Sequence, residues 1–175
     1  MKLIIGLGNP GREYETTRHN LGFMALDALR QELELPEFKE NKKFQSLVSK
    51  GKRQNEEIIL AKPLTFMNSS GEAVSRLFSY YKISLSDLLV IHDDIDLPWG
   101  AARLVRNRGS AGHKGVESVI SSLGAKNFSR IKVGIAPAVK KETKKFVLGE
   151  LSKKEGTELP AIMDEVKKTV YKYIK

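Results

Sequence analysis

Two apolar runs, LIIGL at residues 3–7 and the four residues after Asp87 in DLLVI (87–91), constrain this chain more than any other feature. Runs of this kind suit strands buried on both faces, which need a helical layer on each side of the sheet. The helical periods are present. Leu21, Ala25, Ala28, Leu29 and Leu33 recur at three- and four-residue spacing, and so do Val74, Leu77, Phe78 and Tyr81. Val116, Val119, Ile120 and Leu123 form a third face, and Leu159, Ile162, Val166, Val170 and Ile174 a C-terminal fourth. ARLVR (102–106) and RIKVGIA (130–136) read as further strands, and FQSLVSK and EEIILAK flank the polar turn GKRQN as a hairpin. The charged stretch ELPEFKENKK reads as a loop, Ser69 with Glu72 as a capping box, and the DLLVI strand as ending at His92 and Asp93. Alternating strands and helices predict an α/β fold: one domain over residues 1–175, with a mixed, mostly parallel sheet covered by helices on both faces.

The chemistry open to such a domain is narrowed by what it lacks. There is no cysteine, so thiolate catalysis, disulfides and cysteine-ligated metals are excluded. Residues 1–8 are too short an apolar run for a signal-peptide core, and no window approaches a membrane span, so a cytoplasmic location is expected. Lys and Arg outnumber Asp and Glu by 30 to 21, a formal charge of +9, which favours an anionic partner such as nucleic acid. The lysines at 140, 141, 144, 145, 153 and 154 are interspersed with acids and read as a solvated helical surface.

Four polar segments follow strand ends. Gly6, Gly8 and Gly11 spell G-x-G-x-x-G, but Pro10 and residues 12–20 intervene before a helix begins, so a tight turn is preferred over a dinucleotide cradle. TFMNSSG puts Asn68 just before a helix. In IHDDIDLP, Asp93, Asp94 and Asp96 could hold Mg²⁺, make a turn, or supply one buried carboxylate to orient a histidine. RGSAGHKG exposes glycine backbone able to approach a phosphate, without a complete P-loop pattern. If the preceding strands run parallel, Asn9, His19, Asn68 and Asp93 converge in one crevice. With no serine elbow, that set suits attack by water: the imidazole takes the proton, the carboxylate holds the imidazole, and the amides donate to a developing oxyanion.

The segments GLGNPGREYETTRHNLG, PLTFMNSSG, HDDIDLPWG, GSAGHKGVES, RIKVGI and FVLG, in this order, resemble the bacterial-type peptidyl-tRNA hydrolase family along essentially the whole chain. The resemblance implies hydrolysis of the ester joining a peptide to the 3′-terminal ribose of tRNA, which returns the tRNA for reuse. By motif it implies His19 as general base, Asp93 as its partner, Asn9 as a reader of the blocked α-nitrogen and Asn68 as a substrate-binding residue. Tyr14, Phe66 and Met67 would wall the site, which receives the 3′ end and acceptor stem of peptidyl-tRNA. No cofactor, metal, membrane or stable protein partner is implied, and a monomer is expected. This chain departs from the family pattern at Lys114, where relatives commonly carry asparagine, and at Val105, where a phosphate-binding cation is usual. Lys114, Arg103 and Lys132 are then the candidate RNA contacts, since 103 and 105 share a strand face that 106 leaves. His92 and His113 are read as structural, the second ordering its loop outside the crevice. Two rivals stand: a non-catalytic RNA-binding scaffold on the same fold, and a metal-dependent phosphoesterase on the aspartates.

Overall fold

The computed structural model describes residues 1–137 and 142–174. Lys140 and Lys141 therefore lie outside the described residues, whereas Lys144, Lys145, Lys153 and Lys154 are solvent-exposed as read. One sheet of seven strands organises the chain, in the order β2-β3-β4-β1-β5-β7-β6. The strands are β1 (Lys2–Gly6), β2 (Lys39–Asn41), β3 (Ser46–Arg53), β4 (Glu56–Pro63), β5 (Leu88–Pro98), β6 (Ala102–Arg106) and β7 (Ser129–Ala136). The centre, β4-β1-β5-β7, is parallel; β2 and β3 on one side and β6 on the other are antiparallel additions. Among the described residues five α-helices complete the fold: α1 (Leu21–Glu32), α2 (Ser70–Tyr80), α3 (Lys114–Leu123), α4 (Thr143–Val147) and α5 (Lys153–Ile174).

The apolar runs are buried as expected: Leu3, Ile4, Ile5, Leu89, Val90 and Ile91 have no solvent exposure. Alternate residues of each run feed two cores. Ile4, Leu89 and Ile91 pack with α1 and α5, while Leu3, Ile5, Leu88 and Val90 pack with α2 and α3. Helices cover both faces because the central strands are apolar on both faces.

Three local readings differ from the sequence expectation. ELPEFKENKK contains strand β2, which pairs with Ser46–Val48 at the sheet edge. Ser69 makes no side-chain cap, because a 3-10 turn over Met67–Ser69 leads into α2. The capping box lies instead at Ser152 and Glu155, where Ser152 N–H donates to the Glu155 carboxylate at 2.7 Å and Glu155 N–H to Ser152 Oγ at 3.2 Å. Strand β5 does not stop at His92 and Asp93 but continues to Pro98, with an irregularity after Asp94.

The chain order creates a crevice. From β1 it passes to β4 on one side, then crosses to β5 on the other. Such a reversal opens a cleft at the C-terminal ends of the strands involved. The loops after β1 and β4 and the far half of β5 all end there.

Candidate active site

The loop after β1 makes two 3-10 turns, Arg12–Tyr14 and Arg18–Asn20, before α1 begins. Gly22 permits the approach of this loop to the sheet. A Cβ there would collide with backbone atoms of Leu7 and Ile91, and one on Gly6 with the Gly22 carbonyl. The close contact draws the turn carrying His19 onto the end of β5. The His19 Nδ1 atom lies 2.8 and 2.9 Å from the two carboxylate oxygens of Asp93.

Asp93 is 1% exposed and holds a second imidazole. His113 Nε2 is 2.8 Å from Asp93 Oδ1, and His113 Nδ1 accepts the Val116 N–H at 3.3 Å as the N-cap of α3. That cap fixes the tautomer. With a lone pair on Nδ1, His113 donates its Nε2 proton to Asp93. The reading of His113 as a loop residue outside the crevice is therefore corrected: it both orders the loop and touches the central carboxylate. Its signal in the sequence was HKG before an apolar helix, which marks a helix start but not what the ring faces. Burial works to raise the Asp93 pKa, but attraction to His113 and His19 and hydrogen bonds from both rings outweigh it. The carboxyl is held well below the usual carboxylate range and stays ionised. His19 then donates Nδ1–H to Asp93, leaving Nε2 as the lone pair that can take a proton. One ligand atom from each of His19, Asp93 and His113 lies within 4.8 Å of the others, so these are also the residues that could hold a divalent ion.

His92 is structural, as expected: 1% exposed, with Nδ1–H donating to the Asp93 carbonyl at 2.7 Å. Burial pushes its pKa well below that of a free imidazole, with a further push from His113, so it stays neutral.

Asn9 is buried, and its Oδ1 accepts the Met67 N–H at 2.8 Å, joining the GNPG and FMN segments. Its backbone is held by Asn20, which accepts Asn9 N–H and donates to the Asn9 carbonyl, each at 2.9 Å. Asn20 went unremarked in the sequence, where it looked like an ordinary residue before a helix. Among the described residues the Asn9 Nδ2 group has no hydrogen-bond partner.

Around this centre the predicted residues differ in placement. Asn68 is exposed and shares a polar depression between α2 and α3 with Ser69, Ser118 and Lys114. Phe66 is 59% exposed and Tyr14 half-buried on its 3-10 turn, but the Met67 side chain turns into the core on the α2–α3 side, where it is 5% exposed. Met67 therefore reaches the crevice through its backbone rather than as a side-chain wall. Lys114 is exposed and pairs with Glu117. Arg103 and Lys132 stand directly opposite each other on β6 and β7. Arg103 is exposed, whereas Lys132 is engaged by Asp94 Oδ2 at 2.5 Å. Asp94 thus serves Lys132 and the Asp96 N–H rather than a shared site with Asp93. Among the described residues no helix is long and apolar enough to cross a membrane.

A buried carboxylate holding two imidazoles stands at the switch point of the α/β sheet, where folds of this class place their ligand sites. The sequence profile of peptidyl-tRNA hydrolase matches residues 3–175. A peptidyl-tRNA hydrolase of Lactococcus lactis subsp. cremoris is 52% identical over 134 residues, 77% of this chain and 71% of its own. One of Listeria welshimeri is 46% identical over 166 residues, 94% of this chain and 89% of its own. The crystal structure of the Acinetobacter baumannii peptidyl-tRNA hydrolase superposes with a TM-score of 0.90 at 32% identity, covering 98% of this chain and 87% of that one. The chain belongs to the peptidyl-tRNA hydrolase family.

Proposed function

We propose that this chain cleaves the ester between peptide and tRNA in peptidyl-tRNA, with His19 deprotonating the attacking water. The observation that carries the mechanism is the Asp93 carboxylate 2.8 Å from His19 Nδ1, which commits the other ring nitrogen to act as base. Water adds to the ester carbonyl carbon as His19 Nε2 takes its proton. Asp93 favours the imidazolium so formed. The tetrahedral intermediate expels the ribose oxygen, which recovers the proton from His19, and free tRNA and a peptide carboxylate leave. His113 keeps the carboxylate aimed.

The amide groups of Asn9 and Asn68 are donors for the substrate carbonyls. A blocked α-nitrogen is a neutral amide that they can satisfy, whereas a free α-ammonium would be a desolvated charge without an anion, costing several kcal/mol. Tyr14 and Phe66 supply apolar surface for the 3′ end, and Arg103, Lys114 and Lys132 the cations that meet its phosphates. Residues 1–175 act as one catalytic unit, monomeric, in the cytoplasm where its substrate arises. The formal charge of +9 supports an RNA partner.

The test is the rate of cleavage of N-acetyl-aminoacyl-tRNA with chelator present, beside the unblocked aminoacyl-tRNA. Rapid cleavage of the blocked substrate alone is expected. His19→Ala should lower the rate by about 100-fold or more while leaving tRNA binding nearly intact. Binding without cleavage by the unmodified protein would make it an RNA-binding scaffold, and inhibition by the chelator would restore a metal-dependent route.

A further inference from the structure

The residue before the catalytic histidine carries a contact that the reaction does not use. Arg18 reaches 137 positions along the chain to Glu155, with Nε to Oε1 at 2.9 Å and Nη2 to Oε2 at 2.7 Å. Both side chains are largely shielded, at 12% and 16% exposure. Arg18 Nη1 also donates to the Phe146 carbonyl at 3.3 Å, and the guanidinium lies 4.4 Å from the centre of the Phe146 ring. The backbone adds to the grip. Arg18 N–H donates to the Gly149 carbonyl at 3.1 Å, Leu151 N–H to the Thr16 carbonyl at 2.9 Å, and Thr17 forms a bridge with Glu150.

Glu155 is itself fixed. It is the acidic member of the Ser152–Glu155 capping box and so sits in the first turn of α5, a 22-residue helix packed against α1 and the sheet. Burial raises the Glu155 pKa, but the hydrogen bonds from Arg18 and Ser152 outweigh it, and the carboxyl lies below its ordinary value. A bidentate arginine–carboxylate pair restricts direction as well as distance. A three-residue 3-10 turn has little hydrogen bonding of its own, so its orientation depends on what grips it from outside. On one side of that turn Asn20 is fixed to Asn9, and on the other Arg18 is fixed to α5. His19 stands between the two clamps.

We infer that Arg18 and Glu155 are positioning residues, a tie from the N-terminus of α5 that sets where His19 meets Asp93 and the attacking water. The inference rests on the reading of His19 as the base. Misplacement of a base by about an ångström costs on the order of 100-fold in rate, so partial loosening should fall below that.

The test is a double-mutant cycle of Arg18→Ala, Glu155→Ala and the pair, on the full chain, with kcat and KM on N-acetyl-aminoacyl-tRNA measured well below each melting temperature. Each single variant should lose about 10-fold or more in kcat with KM within about twofold, and the double variant little more than either single one. Proton NMR reads the same geometry without turnover. The low-field Nδ1–H resonance of the His19–Asp93 bond, assigned by its absence in His19→Ala, should shift or broaden in each variant. Glu155→Gln keeps the cap and one acceptor, should fold where the alanine variant does not, and should show a smaller change of the same kind. Folded variants with lowered melting temperature but unchanged kcat and an unshifted resonance would overturn the inference. A wild-type protein that shows the resonance but cleaves nothing would overturn the assigned reaction instead, leaving the tie to be judged by the resonance alone.

Discussion

Asn20 grips the main chain of Asn9 through both ends of its amide, a task that needs a donor and an acceptor on one short side chain. Alanine lacks both groups and would leave a buried N–H and carbonyl of Asn9 without partners, at a cost of about 1–3 kcal/mol for each group stranded. Asn20→Ala should therefore lower the urea midpoint and weaken discrimination between blocked and unblocked aminoacyl-tRNA, read as the ratio of their kcat/KM values. His113→Ala acts differently. It removes one of the two imidazoles on Asp93 and the cap of α3, so kcat should fall by about 10-fold or more with a modest loss of stability of about 1 kcal/mol. Steady-state kinetics and urea unfolding of the same preparation check both effects. The sequence marked His19 and Asp93 because motif and chemistry coincide there. It passed over Asn20 and read His113 as only ordering its loop, because their roles depend on direction. A cap residue and a helix-start histidine look alike whether their other polar atoms face solvent or a buried carboxylate.

At the scale of elements, the apolar periods were sufficient for the four long helices and the central strands, since burial on one or both faces leaves a direct trace in residue order. They failed where polar residues are buried. HDDIDLP reads as a strand end, yet β5 runs through it because its buried polar side chains, those of His92, Asp93 and Asp94, are engaged by His19, His113, Lys132 and backbone groups rather than by water. The S-x-x-E pattern occurs at both Ser69 and Ser152, but only the second makes the reciprocal bonds of a cap; the first ends a 3-10 turn. The buried His92 makes β5 sensitive to acid. It faces Asp93, His113 and Arg130 and stays neutral in the folded chain, while the unfolded chain takes up a proton near pH 6.5. The unfolded state thus binds more protons below that pH, and stability falls as the pH drops from about 7 towards 5. Asp93, whose pKa is depressed, loses its contribution only in much stronger acid, below the unfolded carboxylate range of about 4. His92→Asn should lower stability at neutral pH yet flatten the decline between pH 7 and 5, as followed by thermal melts across that range.

For the whole molecule, the positive charge gains meaning from which cations are free. Arg103 is exposed on edge strand β6, with no carboxylate within ion-pair distance among the described residues, whereas its cross-strand neighbour Lys132 is paired with Asp94 at 2.5 Å. Each cation that neutralises an RNA phosphate contributes to the slope of log affinity against log salt, by somewhat less than one unit. Arg103→Ala should weaken binding of uncharged tRNA and reduce that slope by nearly a unit. Lys132→Ala should do less to either, because the phosphate must compete with Asp94 for the ammonium. The pairing also predicts the opposite sign for its other member. Asp94→Asn removes a carboxylate and releases Lys132, so tRNA binding should tighten and the salt slope steepen towards that of a protein with one more phosphate contact. Fluorescence titrations of labelled tRNA at several potassium chloride concentrations separate the cases. Equal slopes for the Arg103 and Lys132 variants, or weaker binding by Asp94→Asn, would mean that the ion pair opens without cost and that both cations serve the RNA alike.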